Sequence, residues 1–188
     1  MKKVLIVGAG GSLATYVIRA LESIGDVRLT LFARNPKRLA AHRAEVIQGD
    51  AMDYESVRKA VAGHDIVYVN LAGNLEVMTR NIVRAMQAEG VTRIIAVSSI
   101  GIYDQPLRPV LLPYRKLADL IEASGLTYTL LRPDWFTHTD EVDYALTRKG
   151  DPETGTAVSR KSIAAFIATV VAAPDHYRNE NLGISKPM

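Results

Sequence analysis

The chain has 188 residues, a formal net charge of +3 and 48% hydrophobic against 23% charged residues, which suits one soluble globular domain able to bury its own core. It contains no cysteine, which excludes disulfide, thiolate-zinc, thiol-catalytic and iron–sulfur chemistry. Its basic residues are dispersed among 20 acidic ones, so no nucleic-acid surface is expected, and no apolar run approaches a membrane span or forms a targeting segment, as expected of a cytoplasmic protein.

Residues 4–7 (Val-Leu-Ile-Val) form a short continuous apolar run, the pattern of a buried parallel strand. A glycine-rich turn follows, and Leu13, Val17, Leu21 and Ile24 then recur at helical spacing up to Gly25. A second strand is predicted over 27–32, a short helix from Pro36 to about Ala41, and a third strand over 44–48. Asp53 is placed to cap a helix through Val61 that stops at Gly63. A fourth strand over 66–69, a helix over 75–88 ending at Gly90 and a fifth strand over 93–97 come next.

Three prolines (Pro106, Pro109, Pro113) predict a loop over 102–113, before a helix over 114–123 and a sixth strand over 128–131. The alternation then stops, and residues 134–160 read as an irregular substrate-side region with at most short strands. Ile163, Phe166, Ile167, Val170 and Val171 share one face of a last helix, which Ser159 caps and Pro174 ends, and 181–185 suit a last strand. Strict alternation of strand and helix through residue 131 predicts an α/β fold, a Rossmann-type doubly wound parallel sheet with helices on both faces.

The turn Gly8-Ala9-Gly10-Gly11-Ser12-Leu13-Ala14 lies between an apolar strand and an amphipathic helix. Gly8 supplies the backbone freedom for the turn, and Gly10 or Gly11 permits close approach of a pyrophosphate. The helix N-terminus beyond, at Ser12 and Leu13, offers N–H groups and the positive end of its dipole. NAD-specific sheets carry an acid at the end of the second strand for the ribose 2′-hydroxyl. Here the segment reads Ala33-Arg34-Asn35, with Lys37 and Arg38 beyond and no carboxylate. A forked cation suits a 2′-phosphate, so the expected cofactor is NADP(H) in preference to NAD(H).

With these motifs the chain resembles the atypical short-chain dehydrogenases, in their NmrA-like or NAD(P)H-binding branch. The resemblance rests on Gly8-x-x-Gly11-x-x-Ala14, Ala33-Arg34-Asn35-Pro36, Gln48-Gly49-Asp50, Leu71-Ala72-Gly73, Val97-Ser98-Ser99-Ile100-Gly101, the run from Ser124 to Pro133, and Val158 to Ala164. It implies that Asp50 and Ala51 lie near the adenine, and that Leu71, Ala72 and Gly73 line the adenosine ribose and pyrophosphate. It further implies that Ser98 and Ser99 flank the nicotinamide and that Pro133 borders the same pocket.

Reductases of this kind use a Tyr-x-x-x-Lys pair on one helical face. Tyr114 and Lys116 are two apart, so they project from nearly opposite sides, and Leu112 and Ala118 occupy the positions that would complete a pair. Two readings stay open. One is a reductase of a small molecule such as a flavin, quinone or carbonyl compound, with Lys116 bonding the nicotinamide ribose and Tyr103 or Ser99 donating a proton. The other is a non-catalytic NADP(H)-binding redox sensor. An epimerase or dehydratase of nucleotide sugars fits less well, because only about 55 residues follow the sixth strand.

His42, His64, His138 and His176 have no metal-ligand spacing, so no metal is expected. Trp135 and Phe136, beside Asp134, Asp140, Glu141 and Asp143, are expected in the core, although the segment also suits a pocket wall. Oligomeric state is left open by the sequence.

Overall fold

The computed structural model describes residues 1–39 and 43–188. His42 and the expected end of the short helix at Ala41 lie outside the described residues. In chain order the elements are β1 (Lys2–Val7), α1 (Ser12–Glu22), β2 (Val27–Ala33), β3 (Glu45–Gln48), α2 (Tyr54–Val61), β4 (Ile66–Val69), α3 (Leu75–Glu89), β5 (Arg93–Val97), α4 (Leu112–Glu122) and β6 (Thr127–Pro133). β7 (Phe136–Thr137), β8 (Ala145–Arg148), β9 (Val158–Ser159), α5 (Arg160–Ala172) and β10 (Glu180–Ser185) complete the chain. Short 3-10 turns at Pro36–Arg38 and Pro109–Leu111 link some of these.

Among the described residues eight strands form one sheet in the order β3-β2-β1-β4-β5-β6-β10-β8, parallel except for β8, which runs antiparallel to β10 at the edge. The chain leaves the centre through β2 and β3, then crosses to β4 on the other side of β1. That reversal opens a crevice at the carboxyl ends of β1 and β4, where doubly wound sheets bind ligands. The fold is therefore the Rossmann-type α/β sheet its alternating pattern predicts.

Strand periodicity explains why both faces are covered. Val4 and Ile6 join the cluster beneath α1 and α5, whereas Leu5 and Val7 join the one beneath α2, α3 and α4. All four are fully buried, so β1 reads as a continuous apolar run. Helix ends follow their capping chemistry: Asp53 accepts from the Glu55 N–H ahead of α2, and Ser159 accepts from the Ser162 N–H ahead of α5.

Two expectations need correction. The proline-rich loop is shorter than expected, because α4 begins at Leu112 and takes Pro113 into its first turn, where a missing N–H costs nothing. Residues 134–160 are less irregular than expected: β8 extends the main sheet, and β7 pairs with β9 in a small parallel ladder. Among the described residues no helix is long and apolar enough to cross a membrane.

Candidate functional site

A cleft of about 950 Å³ runs along the carboxyl edge of the sheet, at the upper end of the range for small-molecule sites. Each of β1 to β6 feeds it from the residues that follow the strand.

At its centre is the glycine turn. Gly8 has φ +92° and sits against the Asn70 carbonyl, where no β-carbon would fit. Its N–H and that of Ala9 donate to the Phe32 carbonyl at 3.3 and 3.4 Å, and Gly11 N–H donates back to the Gly8 carbonyl at 3.1 Å, closing the turn. Gly10 faces open space, with no atom within 4 Å of where a β-carbon would stand. α1 starts from Gly11 with no capping side chain and no acid in its first turn. Its first N–H groups thus face the cleft beside Ser12 and Leu13 without a side-chain acceptor, the donor set that a pyrophosphate matches.

One end of the cleft is built by β2 and β3. Arg34 is exposed on its wall and, among the described residues, its side chain makes no hydrogen bond or ion pair. Asn35 accepts from Lys37 N–H at 3.2 Å, which forms the turn that carries Arg38 to the same wall. Gly49 passes directly over the Phe32 ring and the Ser56 hydroxyl, so the chain reaches Asp50 without displacing the ring. Asp50 accepts from Met52 N–H at 2.9 Å, and the buried Ala51 is held by Asn81, whose amide donates to its carbonyl at 3.0 Å.

Leu71, Ala72 and Gly73, after β4, line the middle of the cleft. The other end is built by β5 and β6. Ser98 is buried and donates to the Tyr114 carbonyl at 2.9 Å, while Ser99 is half-buried and donates to the Ile100 carbonyl at 3.1 Å. Pro133 borders them on the next strand.

The structure thus brings to one cleft Gly8, Gly10, Gly11, Ser12, Leu13, Arg34, Asn35, Asp50, Ala51, Leu71, Ala72, Gly73, Ser98, Ser99 and Pro133. It does not bring Tyr103 or Lys116 there, which corrects the sequence-based assignment of both. The Tyr103 hydroxyl accepts from Asn181 at 2.8 Å, and its ring is flanked by Arg115, Arg132 and Lys149 at 4.8, 5.4 and 4.7 Å. Lys116 Nζ pairs with Glu76 Oε2 at 2.7 Å, and this bond, with a second from Arg80, holds the Glu76 carboxyl below its ordinary range. Tyr114, on the other side of α4, does line the cleft, as the two-residue spacing requires.

Trp135 is corrected as well. It is 76% exposed on the cleft wall and not in the core, and Phe136 beside it is 37% exposed, beneath the Arg160 guanidinium at 5.2 Å. Sequence reasoning also missed Asn70 and Arg108. The first carries a legible signal, a polar residue closing the apolar run of β4; the second has none, since its position depends on how the proline-rich loop folds.

A family described as NAD(P)H-binding matches residues 8–174 of the chain. A solved Rossmann-fold NAD(P)-binding family protein from Shigella flexneri is 43% identical, with a TM-score of 0.91 over 100% of this chain and 94% of that one. A short-chain dehydrogenase/reductase from Veillonella parvula, solved in complex with NADP, is 25% identical, with a TM-score of 0.88 over 99% of this chain and 95% of that one. Quinone oxidoreductase 2 of Escherichia coli (strain K12) is 28% identical over 141 residues, 71% of this chain and 49% of the relative. The chain spans about half the length of the curated relatives it matches most extensively. Profile, architecture and glycine turn agree: the chain belongs to the NAD(P)H-binding family.

Proposed function

We propose that the protein is an NADPH-dependent reductase of a small molecule such as a flavin, a quinone or a carbonyl compound. The observation that carries this reading is that one cleft joins two different halves. One half has open N–H donors and Arg34, whose side chain is unpaired among the described residues, and the other has Ser99 and Tyr114 together with exposed apolar side chains. Support comes from the similarity to a quinone oxidoreductase and to a structure with NADP bound.

In this reading the glycine turn and α1 hold the pyrophosphate, and Arg34 takes the 2′-phosphate as a charged, forked donor where a carboxylate would repel it. A bound reduced nicotinamide supplies a hydride. Hydride and one proton together convert a quinone to its hydroquinone, so the chain's own part is to position the acceptor and admit one proton. Ser98 holds the wall through the Tyr114 carbonyl, and in this reading Ser99 and Tyr114, which line the cleft, relay the proton.

The test is oxidation of NADPH, followed at the nicotinamide absorbance band, with a panel of flavins, quinones and aldehydes. Turnover well above buffer with at least one class is expected. Tight NADPH binding with no oxidation across the panel would overturn the reductase reading. It would favour a redox sensor, the reading supported by the pairing of Lys116 with Glu76.

A further inference from the structure

We infer that the acceptor is a planar conjugated molecule with an acidic substituent, stacked on Trp135 with its acid group held by Arg108. This inference rests on the reductase reading of the cleft and narrows its substrate class.

Large hydrophobic side chains seldom stand in water without a partner to cover them, and a cluster of them marks a contact surface. Val110 is 70% exposed, Trp135 76% and Phe136 37%, and all three line the same cleft. They come from the segments after β5 and β6, the adjacent strands that also carry Ser98, Ser99 and Pro133. This apolar wall therefore belongs to the end of the cleft opposite Arg34. An exposed indole offers a broad flat face, and flat π-systems stack on it in offset geometry.

The polar groups of this end determine what the planar molecule carries. Arg108 lines the cleft two residues before Val110 and is exposed, and among the described residues its side chain makes no hydrogen bond or ion pair, not even with Asp104 on its own loop. Asp134, which also lines the cleft, accepts from Trp135 N–H at 2.6 Å. A guanidinium without a partner among the described residues, on the same cleft as these exposed apolar side chains, matches a carboxylate, sulfonate or phosphate on a flat ring system. A neutral acceptor of the same shape leaves that cation without a partner.

Trp135 is the single tryptophan of the chain, so its fluorescence reports on this platform without any turnover. The experiment titrates protein saturated with NADP+ with 1,4-naphthoquinone-2-sulfonate and with uncharged 2-methyl-1,4-naphthoquinone. Quenching is followed, with calorimetry as the second measurement. The expected result is that the sulfonate binds at least fivefold tighter, that Arg108→Gln brings the two within about twofold, and that Arg108→Lys keeps part of the difference. The preference should also shrink as ionic strength rises. Equal affinities in the unmodified protein, no binding of either quinone, or discrimination that survives Arg108→Gln would overturn the inference. NADPH oxidation without discrimination sinks this inference alone, whereas discrimination without NADPH oxidation sinks the reductase reading and leaves the acidic subsite standing.

Discussion

Gly8 and Asn70 meet backbone to backbone at the point where the sheet reverses its winding: the Asn70 carbonyl occupies the space a β-carbon on Gly8 would need. The same Gly8 has φ +92°. Gly8→Ala therefore adds a clash to a strained backbone, and we expect it to cost about 3 kcal/mol or more of stability. Gly10, two residues on, has open space around it. Gly10→Ala should leave the thermal midpoint nearly unchanged and weaken NADPH binding at least tenfold, because the methyl group enters the room left for phosphate. Denaturant melts and a cofactor titration on the two variants separate the roles, and equal stability losses would contradict them.

Among the described residues the Arg34 side chain makes no hydrogen bond or ion pair that its removal would break. Arg34→Ala should leave stability within about 0.5 kcal/mol of the unmodified protein, as for a surface substitution. It should remove about 1.5–3 kcal/mol from NADPH binding, the range for a hydrogen bond to a charged group, and leave NADH binding almost untouched. Equal affinity of the unmodified protein for the two cofactors would refute the 2′-phosphate assignment.

Tyr68, on β4, is fully buried, and its hydroxyl has no hydrogen-bond partner among the described residues. Burial pushes that hydroxyl's pKa far above the ordinary phenol range. A buried hydroxyl without a partner keeps its full desolvation cost, so Tyr68→Phe should stabilise the protein by about 1 kcal/mol. The thermal midpoint should rise by about 2–4 °C. A fall of similar size would show that the hydroxyl is bonded.

Ser159 joins the start of α5 to the segment at Glu141: it accepts from Ser162 N–H at 2.9 Å, donates to the Glu141 carbonyl at 2.7 Å and sits 2.8 Å from the Ser162 hydroxyl. Ser159→Ala removes a helix cap and the shorter of two hydroxyl bonds to the Glu141 carbonyl, an expected loss of about 1–2 kcal/mol. Asp at this position retains the cap but buries a charge, so it should not rescue. Urea melts of the two variants decide this.

Glu141 and Lys186 form a pair at 2.8 Å that ties the segment after β7 to the chain beyond β10. The hydrogen bond from Lys186 holds the Glu141 carboxyl below its ordinary 4.5, and the carboxylate in turn raises the Lys186 amine above 10.5. The depressed acid contributes stability above about pH 4.5 that is lost as pH falls through its folded pKa. The raised base contributes stability below 10.5 that is lost only as pH rises through its own folded pKa. Amide protection around Glu141, corrected for intrinsic exchange, should therefore fall in acid, and Lys186→Met should lower the protection near neutral pH and flatten the fall in acid. An unchanged profile in the variant would count against the pair.

The cofactor half of the cleft was legible in the sequence because it is made of strand ends. An apolar run, a glycine turn and the helix after it are local signals that place Gly8, and the end of the second strand places Arg34, whereas Asp50 and Ala72 come from the family resemblance. The acceptor half obeys no local rule. Tyr103 follows a strand end as Ser99 does, yet three cations and Asn181 engage it elsewhere. Trp135 has the composition of a core residue, but the strand before it ends at Pro133, and the chain then turns outward along the cleft. Only the pairing of distant segments decides which side chains face the ligand there.

Arg160, at the start of the last helix, donates to the hydroxyl of Ser12 at 3.3 Å across 148 residues of sequence. Lys2 reaches the far end of the same helix, at the Ala172 carbonyl, across 170. Contacts so distant along the chain must overcome the entropy of closing a very long loop, and topologies that depend on them fold slowly. The nucleotide-binding turn, although encoded in the first dozen residues, therefore gains its contact with Arg160 only after residue 160 has been synthesised. A growing polypeptide on the ribosome should acquire cofactor affinity late and abruptly, when residue 160 becomes free to dock.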